Sequence, residues 1–167
     1  MLESLPPTPP VHEPPRATLL AAAGEMARTG LWMGGAHTPL GEPIAVETLT
    51  ESWVIDCAGD MPHGYRKAAG RWLAYVFADL ESVPGRFDRL QHLVAEVAGA
   101  MSSANGAAPR DVFVVCQHGM NRSGLVAGLL LRELGLTGED AVSRIVSARP
   151  GALSNQTFRH LLLGARP

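Results

Sequence analysis

Cys116 and Arg122 stand six positions apart with five residues between them, and Ser123 follows the arginine directly. A thiolate is a strong nucleophile, and a guanidinium fork can hold two oxygens of a tetrahedral anion. From Asp111 to Gly124 the chain reads DVFVVCQHGMNRSG. Val112–Val115 is a continuous β-branched and aromatic run, the pattern of a buried central strand. Helical spacing begins at Arg122, with Leu125, Val126, Leu129, Leu130 and Leu134 on one side. A loop joining a strand to a helix N-terminus turns successive backbone N–H groups inward. Such a nest binds a phosphate-sized anion, and the helix dipole reinforces it. The loop positions are Gln117, His118, Gly119, Met120, Asn121 and Arg122. Gly119 permits the positive φ of a tight turn. Arg122 returns beside Cys116 after one circuit, and the positive potential of the nest favours the cysteine thiolate.

A thiolate attacking a phosphomonoester must expel an alkoxide or phenoxide, which calls for an acid. Asp79 follows the apolar run Leu73–Phe77 and falls at the C-terminal edge of a parallel sheet, where ligands bind in open α/β folds. Glu81 is the second candidate and Asp60 the third.

The rest of the chain supplies elements to position these groups. Short strands are expected at Leu31–Met33, Trp53–Ile55, Leu73–Phe77 and Val112–Val115. Helices are expected over 86–101, 122–134, 138–148 and 155–163. Thr137 with Asp140 gives a capping-box-like start, and Ser154 is the candidate cap of the last helix. The pattern predicts a single three-layer α/β domain with a largely parallel central sheet flanked by helices. At 167 residues and 46% hydrophobic content one packed domain is expected, over residues 17–167. Residues 1–16 carry six prolines and read as a disordered proline-rich tail.

Fourteen basic and sixteen acidic residues leave a net charge of -2, so no broad field draws the chain to nucleic acid or to an anionic membrane. No apolar run approaches the ~20 residues of a membrane span, and no secretory signal is visible. A cytoplasmic protein with reduced thiols is expected. The six histidines do not pair at metal-ligand spacing, so neither a zinc site nor another cofactor is expected.

The loop resembles the signature of the cysteine-dependent protein tyrosine phosphatase superfamily, in its dual-specificity branch, His-Cys-x-x-Gly-x-x-Arg-Ser/Thr-Gly. Cys116, Gly119, Arg122, Ser123 and Gly124 match in register, and Val115 replaces the histidine. Leu31–Gly35, Tyr75–Asp79 and Arg149–Asn155 are similar to further segments of that branch. The resemblance covers roughly residues 29–164. It implies a protein tyrosine or dual-specificity phosphatase acting without metal on a phosphorylated protein or a small phosphomonoester. Cys116 would be the nucleophile, and Arg122 would bind the phosphoryl group together with the amides of Gln117–Arg122. Ser123 would assist the leaving sulfur, and Asp79 would be acid and then base. The alternative is a catalytically weak, phosphate-binding pseudophosphatase for phosphorylated partners. The departure at Val115 touches the group that normally braces the loop.

Other residues have two readings. Cys57 is either a small core residue or, as in some members of the resembled superfamily, the partner of Cys116 in a reversible disulfide. His118 is expected at the pocket rim. Segment 61–71, with His63, Arg66, Lys67 and Arg71, is either a recognition loop or a solvated helix start.

Overall fold

The computed structural model describes residues 13–164. Six strands form one sheet: β1 (Arg16–Ala21), β2 (Gly30–Gly35), β3 (Glu42–Pro43), β4 (Trp53–Asp56), β5 (Arg71–Ala74) and β6 (Asp111–Cys116). Their order across the sheet is β3-β1-β2-β6-β4-β5. Strands β2, β6, β4 and β5 run parallel, while β1 is antiparallel to both β2 and β3. The central strand β6 is the apolar run expected there. Its alternate residues serve two faces, as period-two geometry requires.

Val112, Val114 and Cys116 face the larger core, formed with α2 (Phe87–Met101), α3 (Arg122–Glu133), α4 (Gly138–Ala148) and α5 (Gln156–Leu162). Helix α3 is buried along Ser123–Leu131. A helix so apolar belongs inside a core rather than at its surface, and here it lies among β2, β6 and the other three helices. Phe113 and Val115 face a smaller cluster with Ala17, Leu49 and Val54, covered by a 3-10 helix (Val46–Glu51) and α1 (His63–Ala68). The three layers are therefore unequal, with the thicker one on the side of α2–α5.

Several boundaries depart from expectation. Strand β1 starts at Arg16, and the Pro15 carbonyl accepts from Ile44 N–H at 2.8 Å, so ordered pairing reaches into the segment expected to be tail. Proline lacks a donor but keeps its acceptor, which is what this contact uses. The remainder of that segment, residues 1–12, lies outside the described residues. Strand β5 is regular over Arg71–Ala74 rather than over Leu73–Phe77. Beyond it Tyr75 and Phe77 donate singly to the carbonyls of Asp56 and Cys57. The cap of α5 is Asn155, whose Oδ1 accepts from Phe158 N–H at 3.1 Å, one residue after the expected Ser154. The Thr137 cap is formed as expected, with Oγ1 accepting from Asp140 N–H. Segment 61–71 contains the solvated helix start, α1, which buries no side chain.

Candidate active site

Cys116 is the last residue of β6, and Arg122 is the first of α3. The loop between them crosses the C-terminal edge of the sheet. Each of its backbone carbonyls is claimed by a donor outside the loop's own pocket. Ala36 N–H donates to Cys116 O at 2.9 Å and His37 N–H to Gln117 O at 2.8 Å. Arg149 donates to His118 O through Nη2 and to Gly119 O through Nε. Leu153 N–H donates to Met120 O at 3.2 Å, and Leu125 N–H to Asn121 O at 2.9 Å. A planar trans peptide places its N–H opposite its C=O. Carbonyls 116–121 held away from the pocket thus turn the amides of residues 117–122 toward it. Gly119, at φ +70, lets the chain make the turn, and its N–H lies 3.3 Å from Cys116 Sγ.

Cys116 is buried, 3% exposed as a residue. Ser123 Oγ lies 3.2 Å from its sulfur, fully buried in the first turn of α3. Arg122 donates through Nη1 to Phe77 O at 3.3 Å, which fastens the loop after β5 to the start of α3. Asp79 sits in that second loop. Its Oδ2 accepts from Asn121 Nδ2 at 3.0 Å, and its Oδ1 from Asn155 Nδ2 at 2.8 Å. Asn155 Nδ2 also donates to Leu80 O. Of the three acid candidates, Asp79 is therefore the one bonded directly to the loop that carries Cys116 and Asn121. Asp60 faces His37 at 3.7 Å instead. Glu81 makes no hydrogen bond or ion pair among the described residues.

His118 lies at the rim, its Nδ1 3.0 Å from His37 O. A cleft of about 650 Å³, lined in part by His37, Thr38, Pro39 and Pro62, opens on that side. Val115 is fully buried in the smaller apolar cluster. An imidazole there would need a polar partner among aliphatic neighbours, so the loop is braced from other directions. Cys57 and Cys116 are both free thiols. Cys57 directly follows the neighbouring strand β4, its N–H bonded to Val115 O at 2.8 Å. Burial pushes its thiol well up, and the adjacent Cys116 adds to the shift.

Four contributions were not assigned from the sequence. They are Asn121 as the tether of Asp79, beyond its expected place among the phosphate-binding positions, Asn155 and Arg149, which entered only as ends of a resembling segment, and the residues after β2. The Asn155 cap geometry could have been found from the Asn-x-x-Phe run. The others carry no local signal.

The sequence matches no protein-family profile and no curated protein, whereas the fold matches solved structures. A mouse putative dual specificity phosphatase complexed with zinc tungstate aligns with TM-score 0.65 and 22% identity, over 99% of this chain and 92% of that one. Human DUSP28 aligns with TM-score 0.65 and 20% identity, over 92% and 94%. A kinase associated phosphatase with its catalytic-site cysteine replaced by serine aligns with TM-score 0.63 and 16% identity, over 93% and 99%. The chain has the dual-specificity phosphatase-like fold.

Proposed function

We propose that this chain is a phosphomonoester hydrolase of the protein tyrosine or dual-specificity type, working through a phosphocysteine intermediate. The observation that carries this reading is the amide nest of residues 117–122 closed around Cys116, with Arg122 at its mouth and Asp79 tied to its edge. The nest suits the three non-bridging oxygens of a phosphoryl group, and Arg122 adds a fixed positive charge where negative charge accumulates.

In the first step the Cys116 thiolate attacks phosphorus. The phosphorus–oxygen bond to the leaving group breaks, and Asp79 gives its proton to that oxygen. In the second step a water attacks the phosphocysteine. Asp79, now a carboxylate, takes the water's proton, and the phosphorus–sulfur bond breaks. Ser123 donates to the departing sulfur, which returns as thiolate. Asn121 and Asn155 orient the Asp79 carboxyl for this role.

The mouse relative's tungstate is an oxyanion of phosphate shape, which supports the same class of ligand here. Phosphorylated protein side chains are the favoured substrates. The loop lacks the lysines suited to more highly charged phosphoinositide head groups. A reducing compartment such as the cytoplasm suits a catalytic thiol. Among the described residues no helix is long and apolar enough to cross a membrane.

The test is para-nitrophenyl phosphate hydrolysis without added metal, in wild type and Cys116→Ser. Turnover is expected in wild type, blocked by vanadate and reduced at least about 10³-fold in the variant. Vanadate binding without wild-type turnover would replace this reading by that of a phosphate-binding module.

A further inference from the structure

Arg149, just beyond α4, is completely buried, yet no carboxylate lies within salt-bridge reach of it among the described residues. All five of its hydrogen bonds go to neutral oxygens. Nε donates to Gly119 O at 2.7 Å and Nη2 to His118 O at 3.4 Å. Nη2 also donates to Thr38 Oγ1 at 3.1 Å, while Nη1 donates to Thr18 Oγ1 at 2.9 Å and to Leu40 O at 3.2 Å. Burying a guanidinium without a counter-charge is costly. Burial pulls it down from its ordinary range, and the Cys116 sulfur opposes that shift. A buried cation met only by neutral oxygens is accounted for by what those oxygens belong to.

Of the six outward-held carbonyls of the catalytic loop, four are held by backbone N–H groups and two, His118 and Gly119, by this one side chain. Those two carbonyls flank Gly119, the one loop residue at positive φ, where the missing Cβ removes the usual restriction on the backbone. Without a donor behind them, either peptide could turn its oxygen into the pocket and present a negative dipole to the anion. The guanidinium also places a full positive charge beneath the nest, where the low dielectric strengthens its effect.

On the reading of the site as a phosphoryl-binding one, we infer that Arg149 is a positioning residue. It locks the peptides on either side of Gly119 with their amides toward the bound oxyanion, and it supplies a second, unpaired cation to the site from below. It touches neither substrate nor sulfur.

The experiment compares wild type, Arg149→Lys and Thr38→Val by vanadate affinity, by the pH profile of Cys116 alkylation with iodoacetamide, and by kcat and KM. Arg149→Lys keeps the charge and loses the fork. It is expected to weaken vanadate binding about 10–100-fold, to raise KM more than it lowers kcat, and to move the alkylation midpoint upward. Thr38→Val keeps the arginine and removes one acceptor that aims it, so a loss of roughly threefold is expected. A folded Arg149→Lys protein with wild-type vanadate affinity and alkylation profile overturns the inference. If that variant does not fold, an unchanged Thr38→Val protein overturns it. A drop in melting temperature with both anion readouts unmoved does so too, because it marks a purely structural role. Wild-type protein that binds vanadate without turnover removes the hydrolase reading and leaves this test standing. Wild type with no oxyanion affinity overturns both.

Discussion

The proposed catalytic loop, residues 116–121, and the proposed acid loop, residues 75–86, meet through Asn121 and Arg122 but are held by different means. The first is clamped from behind by backbone donors of the β2 extension, by Leu153 and by Leu125, with a buried arginine completing the set. The second has no regular structure and leaves Val76 59% and Leu80 61% exposed. Its side-chain ties are few: Tyr75 Oη to Gly85 O and Arg86 O, Arg122 to Phe77 O, and the two asparagines on Asp79 and Leu80. A loop that must present a row of amides to an anion gains from rigidity, since preorganised dipoles need no reorganisation as charge develops. A loop that delivers one proton and then admits water can be held by ties that part and re-form. Binding and proton transfer should therefore be separable by mutation.

The largest expected effect is on the acid loop. Asp79→Asn should lower kcat by about 10³-fold and remove the basic limb of the pH profile between pH 5 and 8. Vanadate affinity should stay near wild type. An unchanged profile would move the acid role to Glu81 or Asp60. Next comes the scaffold of the catalytic loop. A Cβ on Gly35 would sit 2.6 Å from Gly119 N and 2.7 Å from Gln117 O, both backbone atoms that cannot swing aside. Gly35→Ala should cost about 10²-fold in turnover and weaken vanadate in parallel, since a loop displaced by an ångström loses its aim. Retained vanadate affinity would show that the loop is softer than its hydrogen bonds imply.

A smaller effect sharpens the contrast. Asn155→Ala removes a donor to Asp79 and Leu80, and the cap of α5 with them. About a tenfold loss in kcat with little change in KM is expected, along with roughly 1 kcal/mol of stability from the cap. Equal losses in kcat and vanadate affinity would mean that the two loops act as one unit. The smallest effect concerns Cys57. Its raised thiol keeps its proton at neutral pH, so it is a poor partner for an oxidised Cys116. Cys57→Ala should leave turnover within about twofold. Peroxide-treated wild type should give no Cys57–Cys116 crosslinked peptide by mass spectrometry, and finding one would restore the redox reading.

The two regions also differed in how far the sequence revealed them. Strand β6, the loop and α3 were readable because apolar run, glycine, arginine and helical spacing lie in one continuous segment. The acid loop was placed approximately, because β5 stops at Ala74 and its apolar residues continue past the end of regular pairing. Strand β1 was missed. It is a short antiparallel strand behind a proline cluster, with Leu19 42% exposed, so it lacks the continuous apolar signature of its buried neighbours.

The sequence by itself determined the candidate nucleophile Cys116, its companion Arg122, the spacing that puts both at the ends of one strand-to-helix loop, and the layered α/β architecture. These follow from covalent neighbours and from periodicity, which a linear reading contains. Tertiary structure alone decided which groups hold the loop open. Arg149 reaches Gly119 across 30 residues, Asn155 reaches Asp79 across 76, and the β2 extension lies about 80 residues from the loop it supports. A hydrogen bond between distant segments depends on the register in which sheet and helices pack, and no local pattern of residue types records that register.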